Sequence, residues 1–130
     1  IEQAGKVTNN GIILLNKSQS VQRQRFTVMH ELGHYLLGHV GSDPRYRDSS
    51  RTAEEQEADR FAVGCLMPAC VLWALHATTA EEIAALCNVS MQAAEIRSRR
   101  MQILLARNKF LTHPLERQVF EQFQQFINNQ

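Results

Sequence analysis

The stretch from Ser20 to Gly38 constrains this chain more than any other part of it. A serine able to cap a helix precedes Phe26, Met29, Leu32, Leu36 and Leu37 at helical spacing, and a glycine closes the run. That spacing predicts a helix from Val21 to about Leu37 with one side packed on a core. Inside it lies His30-Glu31-Leu32-Gly33-His34. Residues four apart in a helix sit about 40° apart around the axis and about 6 Å apart along it. His30 and His34 can therefore reach one ion at roughly 2.0–2.1 Å. Glu31 falls one step round, beside the ion and not on it, where it can take a proton from a water attacking a carbonyl. Two histidines and a glutamate also meet by chance on solvated helices. The apolar flank argues against that here, and so does Gly33. A glycine costs about 1 kcal/mol against alanine in a helix interior, which a closely packed neighbour would explain.

Catalytic zinc takes three protein ligands and a water. The extended pattern with Gly at 37 and His at 40 is absent, because those residues are Leu37 and Val40. His39 falls about 140° round the helix from His34 and reads as a helix-end residue near the C-terminal dipole. The next acidic group is Glu54, Glu55, Glu57 and Asp59. It opens a second expected helix, from near Ala53 to Met67-Pro68, with Ala58, Phe61, Ala62, Cys65 and Leu66 as its apolar face. Glu55 and Asp59 share a face, and Glu57 points almost oppositely to Glu55. The expected third ligand is Glu55, with Asp59 as the carboxylate that orients a ligand histidine; Glu54 is the rival ligand. The plainer alternatives are a capping box between Thr52 and Glu55 and a surface ion pair from Asp59 to Arg60 or Arg51.

Elsewhere, Gly11 to Asn16 reads as a buried or half-buried strand, residues 40–52 as a loop, and Val71 to Leu75 as a short helix. Thr79 and Glu82 have capping-box spacing, which starts a helix that turns at Cys87-Asn88. Ser90 caps another, running to about Ala106, and Pro114 to Ile127 forms a last amphipathic helix whose stripe is most simply core packing. The pair over 79–107 has the outline of a helix-turn-helix, and its second helix carries Arg97, Arg99, Arg100 and Arg107. Direct DNA binding is nevertheless disfavoured. The 130-residue chain has a formal net charge of only +1. The second helix opens on Met91, Gln92, Ala93 and Ala94, which offer few groups for reading base edges. A face that docks a protein substrate is the preferred reading, against a merely solvated basic face.

No apolar run approaches the roughly 20 residues of a membrane span. The three cysteines, Cys65, Cys70 and Cys87, form no C-x-x-C pair. Buried free thiols in a reducing cytoplasm are expected. The chain starts at Ile1 with no charged-then-apolar leader, so the expectation is a fragment whose catalytic domain begins upstream.

Three segments together resemble the ImmA/IrrE metallo-endopeptidases. They are Arg25-Phe26-Thr27-Val28-Met29-His30-Glu31-Leu32-Gly33-His34, then Glu55-Gln56-Glu57-Ala58-Asp59-Arg60-Phe61-Ala62, then Leu66-Met67-Pro68. The strand before the first helix and the stretch from Glu82 to Arg97 also fit, so the resemblance covers most of residues 11 to 105. It implies an α+β, zincin-like domain with an H-E-x-x-H helix, a short sheet and a C-terminal helical part. It also implies Zn²⁺ as cofactor and a glutamate matching Glu55 as third ligand. Members in phages and mobile elements act as anti-repressors that cleave, or help inactivate, helix-turn-helix repressors. The expected organisation is a peptidase core over residues 1–78 and a helical region over 79–130 packed on it. The expected oxyanion donor is open among Tyr46, His39 and His76. Two rivals to the enzyme are a regulatory module with a structural zinc and an interaction domain whose motif is accidental. An intact Glu31 favours the enzyme, since a structural site has no use for an uncoordinated base.

Overall fold

The computed structural model describes residues 5–39 and 49–130, with side chains at 49–52 excepted. The chain divides into two compact units, Ile1–Leu66 and Met67–Gln130. The division falls between Leu66 and Met67.

The first unit begins with a hairpin. Strand β1 (Gly5–Val7) pairs antiparallel with β2 (Ile13–Leu15), in the register Gly5 to Leu15 and Val7 to Ile13. The connection is Asn9-Asn10-Gly11. Thr8 donates to the Ile12 carbonyl at 2.9 Å and accepts from the Gly11 amide at 3.0 Å, and Gly11 has φ +84°. Such a three-residue loop ending in a left-handed residue needs glycine there. β2 is shorter and more open than expected, with Leu14 48% exposed.

Helix α1 (Val21–Leu36) starts at Ser20, whose side chain accepts from the Arg23 amide at 3.2 Å. This satisfies one of the amides that a helix start leaves unpaired. Its second and third turns pack on the hairpin. A Cβ on Gly5 would lie 2.6 Å from the Thr27 methyl and 2.7 Å from the Leu14 carbonyl oxygen, so only glycine admits that approach. Leu36 and Leu37, expected on the packed side, are instead exposed.

The end of α1 positions the site. The His39 amide donates to the His34 carbonyl at 2.9 Å and the Gly38 amide to the Tyr35 carbonyl at 3.3 Å, with Gly38 at φ +78°. This is a Schellman motif. It satisfies the last carbonyls and turns the chain back over the final helical turn, so that the second residue past the helix meets the one four positions into its end. Those two residues are His39 and His34.

Helix α2 (Ser49–Leu66) packs along α1. It begins four residues before the expected Ala53. Thr52 is therefore inside the helix and not at its N-cap. The Ser49-Ser50 pair, read as loop, is helical. The remainder of that loop, with Tyr46, lies outside the described residues. Ala58 and Ala62 are fully buried, and Phe61 packs against Gly33.

In the second unit, α3 (Ala69–Ala74) follows Pro68, and α4 (Ala80–Cys87) has the expected capping box. Thr79 Oγ1 accepts from the Glu82 amide at 3.2 Å, and the Thr79 amide donates back to the Glu82 carboxylate at 3.3 Å. Asn88 takes the left-handed conformation at φ 53°, and Ser90 caps α5 (Met91–Arg107). Leu72, Ile83, Ala94 and Met101 form the buried centre. The last expected helix breaks at Phe123 into α6 (Pro114–Gln122) and α7 (Gln124–Asn128). Its stripe is core packing only in part. Phe120 tilts against Trp73, which stacks on Phe110 at 5.2 Å, but Leu115 and Phe126 are exposed.

Candidate metal centre

Two features of α1 carry the site. The i, i+4 spacing puts His30 and His34 on one side, with Phe26 a turn earlier stacked beside His30. The packing of α2 then brings Glu55 across. His30 Nε2 lies 3.0 Å from Glu55 Oε2 and 3.1 Å from His34 Nε2, and His34 Nε2 lies 3.2 Å from Glu55 Oε1. Among the described residues, His30, His34 and Glu55 are the group whose side chains could hold an ion. Donors arranged tetrahedrally at roughly 2.0–2.1 Å from zinc stand about 3.3 Å from one another. The triangle already has that size.

The far sides of the rings supply a second test of fit. His30 Nδ1 lies 2.8 Å from Asp59 Oδ1. A carboxylate accepts, so the proton of a neutral ring sits on Nδ1 and the lone pair on Nε2. That lone pair faces the oxygens of Glu55 and Nε2 of His34. A divalent ion placed among these three donors would pair with all of them at once. The residues therefore fit a divalent ion with nitrogen and oxygen preference. Both rings are mostly enclosed, with side chains 17% and 12% exposed, whereas Glu55 at 43% keeps one side of the site open.

His34 is backed differently from His30. Its Nδ1 lies 3.0 Å from His39 Nδ1, and His39 Nε2 lies 3.6 Å from Glu57 Oε2. Reading His39 as a helix-end residue, and Glu57 as pointing away, missed this. The 140° offset assumes a helix that continues, and the helix stops at Gly38. Of the candidates for an oxyanion donor, His39 has Nδ1 engaged by His34 and Nε2 near Glu57. His76, another candidate, is exposed and lies in the second unit.

Glu31 is half-buried on α1 and stands outside the ligand group. Glu54 also stands outside it, so of the two rival acids it is Glu55 that meets the histidines. Asp59 sits against His30, as expected of a carboxylate that orients a ligand histidine.

A family model for the IrrE N-terminal-like domain of the M78 peptidases matches residues 2–99. The chain belongs to the M78 peptidase family. The matched region holds the hairpin, both site helices and much of the second unit, and it ends within α5. M78 proteins are metallopeptidases, and the resemblance seen in the sequence is thereby the family itself. The M78 chain is α+β, mostly helical with a two-stranded antiparallel sheet. Comparisons with curated proteins and with solved structures give no match. No helix among the described residues is long and apolar enough to cross a membrane.

The arginine face expected on α5 needs correcting at one position. Arg97 is half-buried, and its Nε donates to the Met67 carbonyl at 2.9 Å. Burial, and next the adjacent Arg100, pull its pKa below the ordinary value. It ties α5 to the start of its unit and is no part of a free docking face. Arg99, Arg100 and Arg107 are exposed. All three cysteines are free thiols; Cys70 is buried, as expected, but Cys65 is exposed.

Proposed function

We propose that this chain is a zinc-dependent endopeptidase that cuts a protein substrate, a helix-turn-helix repressor of a phage or mobile element. The observation that carries the hydrolytic reading is the division of labour on α1. Two histidines join a glutamate from α2 in a three-donor triangle, while the intervening Glu31 stays out of it. Three protein donors leave a position for water and substrate, as hydrolytic sites require and structural four-ligand sites do not.

His30, His34 and Glu55 would hold the ion, with Asp59 fixing the ring of His30. When bound, zinc polarises the scissile carbonyl and acidifies an attacking water. Glu31 takes the proton of that water and passes it to the leaving amine. Its place next to His30, without a carboxylate–metal bond, leaves its lone pair free for this. The exposed side of Glu55 gives the peptide access.

The test is co-expression with the repressor encoded beside this chain. Wild type is expected to produce a discrete cut, and Glu31→Gln to retain one zinc while losing orders of magnitude in hydrolysis. Undiminished cleavage by Glu31→Gln would remove the mechanism. Arg99, Arg100 and Arg107 remain a docking face for the substrate, since direct DNA reading lacks the base-contacting residues at the start of α5.

A further inference from the structure

His39 and Glu57 have no part in the proposed hydrolysis, yet they are arranged around His34. The His39 side chain is only 8% exposed. A buried polar ring needs partners, and two of those around it are specific: His34 Nδ1 at 3.0 Å and Glu57 Oε2 at 3.6 Å. The Schellman turn at Gly38 ordinarily closes on an apolar contact between the two positions that His34 and His39 occupy. Here that contact is polar on both sides.

One arrangement of protons satisfies the whole chain of contacts. His34 turns its Nε2 lone pair to the donor triangle, so its proton is on Nδ1. That N–H donates to His39 Nδ1, which must then be unprotonated. The His39 proton sits on Nε2 and faces the Glu57 carboxylate. Each step determines the next, and the direction ends on a negative charge. His30 reaches its own carboxylate, Asp59, in a single step of 2.8 Å. Glu55, Glu57 and Asp59 thus lie at alternate positions of α2. One faces the donor triangle, and the other two face the far sides of the two histidine systems.

We propose that His39 and Glu57 are positioning residues for metal binding. They form a two-step relay that fixes the tautomer and ring orientation of His34, as Asp59 does directly for His30. This rests on the reading of His30, His34 and Glu55 as ligands, and is independent of whether the chain hydrolyses peptides. Partners behind a metal-ligating histidine are commonly worth about 10–100-fold in affinity.

The experiment is competition between the metal-free full chain and a chromogenic chelator for Zn²⁺, with thermal melting of the same metal-free proteins. His39→Phe keeps a ring in the Schellman contact but offers no acceptor. It should bind Zn²⁺ about 10–100-fold more weakly, with the metal-free melting temperature unchanged or raised. His39→Asn restores an acceptor near the Nδ1 position and should recover most of the affinity. Glu57→Ala, at a part-exposed residue, should lose about tenfold and add little further loss in the His39→Phe background. Unchanged affinity in both His39→Phe and Glu57→Ala, with wild type binding one equivalent, overturns the relay alone. Equal losses in His39→Phe and His39→Asn overturn it too, by showing that the position serves packing. If His39→Phe does not fold, Glu57→Ala decides by the same criterion. Failure of the wild-type chain to bind Zn²⁺ would overturn the ligand reading beneath it.

Discussion

Gly33 and Gly64 provide a matched pair for testing how tightly α1 and α2 are packed. Both lie in helices, so replacement by alanine gains about 1 kcal/mol of helix propensity at each. They differ in the space available. A Cβ on Gly64 would meet nothing within 4 Å, whereas one on Gly33 would lie 3.0, 3.1 and 3.2 Å from Cδ1, Cβ and Cγ of Phe61. Carbon atoms in good contact stand about 3.5–4.0 Å apart. Rotating the Phe61 ring relieves the Cδ1 contact but not the other two, because Cγ lies on the rotation axis and Cβ is fixed to the α2 backbone. The helix itself must then move by several tenths of an ångström. Overpacking of that kind costs about 1–3 kcal/mol, so Gly33→Ala should be destabilised by about 1 kcal/mol net and Gly64→Ala stabilised by up to about 1 kcal/mol. For a chain of this size each step is about 4 °C in melting temperature. Gly33→Ala should also weaken zinc binding, since Glu55 travels with α2 and metal–ligand distances tolerate only about 0.2 Å. Melting and chelator competition on both variants form the assay. Equal stabilisation by the two alanines, with zinc affinity unchanged, would refute the close packing and its link to the site.

Asp59→Ala should lower zinc affinity about tenfold, the low end of the usual range because Asp59 is exposed; Asp59→Asn should lose less, and chelator competition distinguishes them. Arg97→Met keeps the apolar stem but leaves the Met67 carbonyl unpaired, so urea unfolding should show a loss of about 1–3 kcal/mol. In the native protein an alkylating reagent should modify Cys65 well before Cys70. Burial raises the pKa of both thiols, but only Cys70 is also shut off from reagent. Peptide mapping after brief labelling reads the order, and equal rates would argue that the second unit opens readily.

The helix carrying His30 and His34 was legible because its apolar spacing, Ser20 cap and Gly38 stop all agree. The meeting of Glu55 and Asp59 with that helix followed from shared spacing on the next one. Strand β1 was missed: three residues, Gly5-Lys6-Val7, are too short to show alternation. The signal was Asn10-Gly11, a hairpin dipeptide at the start of the expected strand. The roles of His39 and Glu57 escaped for a different reason. Helical geometry was carried past Gly38, although a glycine stop foretells a reversal of direction. Arg97 was counted among surface charges because a one-dimensional charge cluster does not show which member faces the Met67 carbonyl. The break at Phe123 has no marker in the sequence, since neither proline nor glycine stands there.

The donor triangle joins residues of very different separation along the chain. His30 and His34 come together as soon as α1 forms, which is a local and fast event. Glu55 arrives only when α2 docks, after a loop has been closed at an entropic cost. An early chain can therefore hold an ion by two imidazoles, weakly, and gains the third donor as tertiary structure completes. On the proposed ligand set, zinc binding and helix docking become one linked equilibrium. At zinc a hundredfold above the dissociation constant, the docked state is favoured by about 2.7 kcal/mol more than without it. In zinc-poor surroundings α2 would part from α1 more often, and the chain would be most open to degradation when it has no metal to work with.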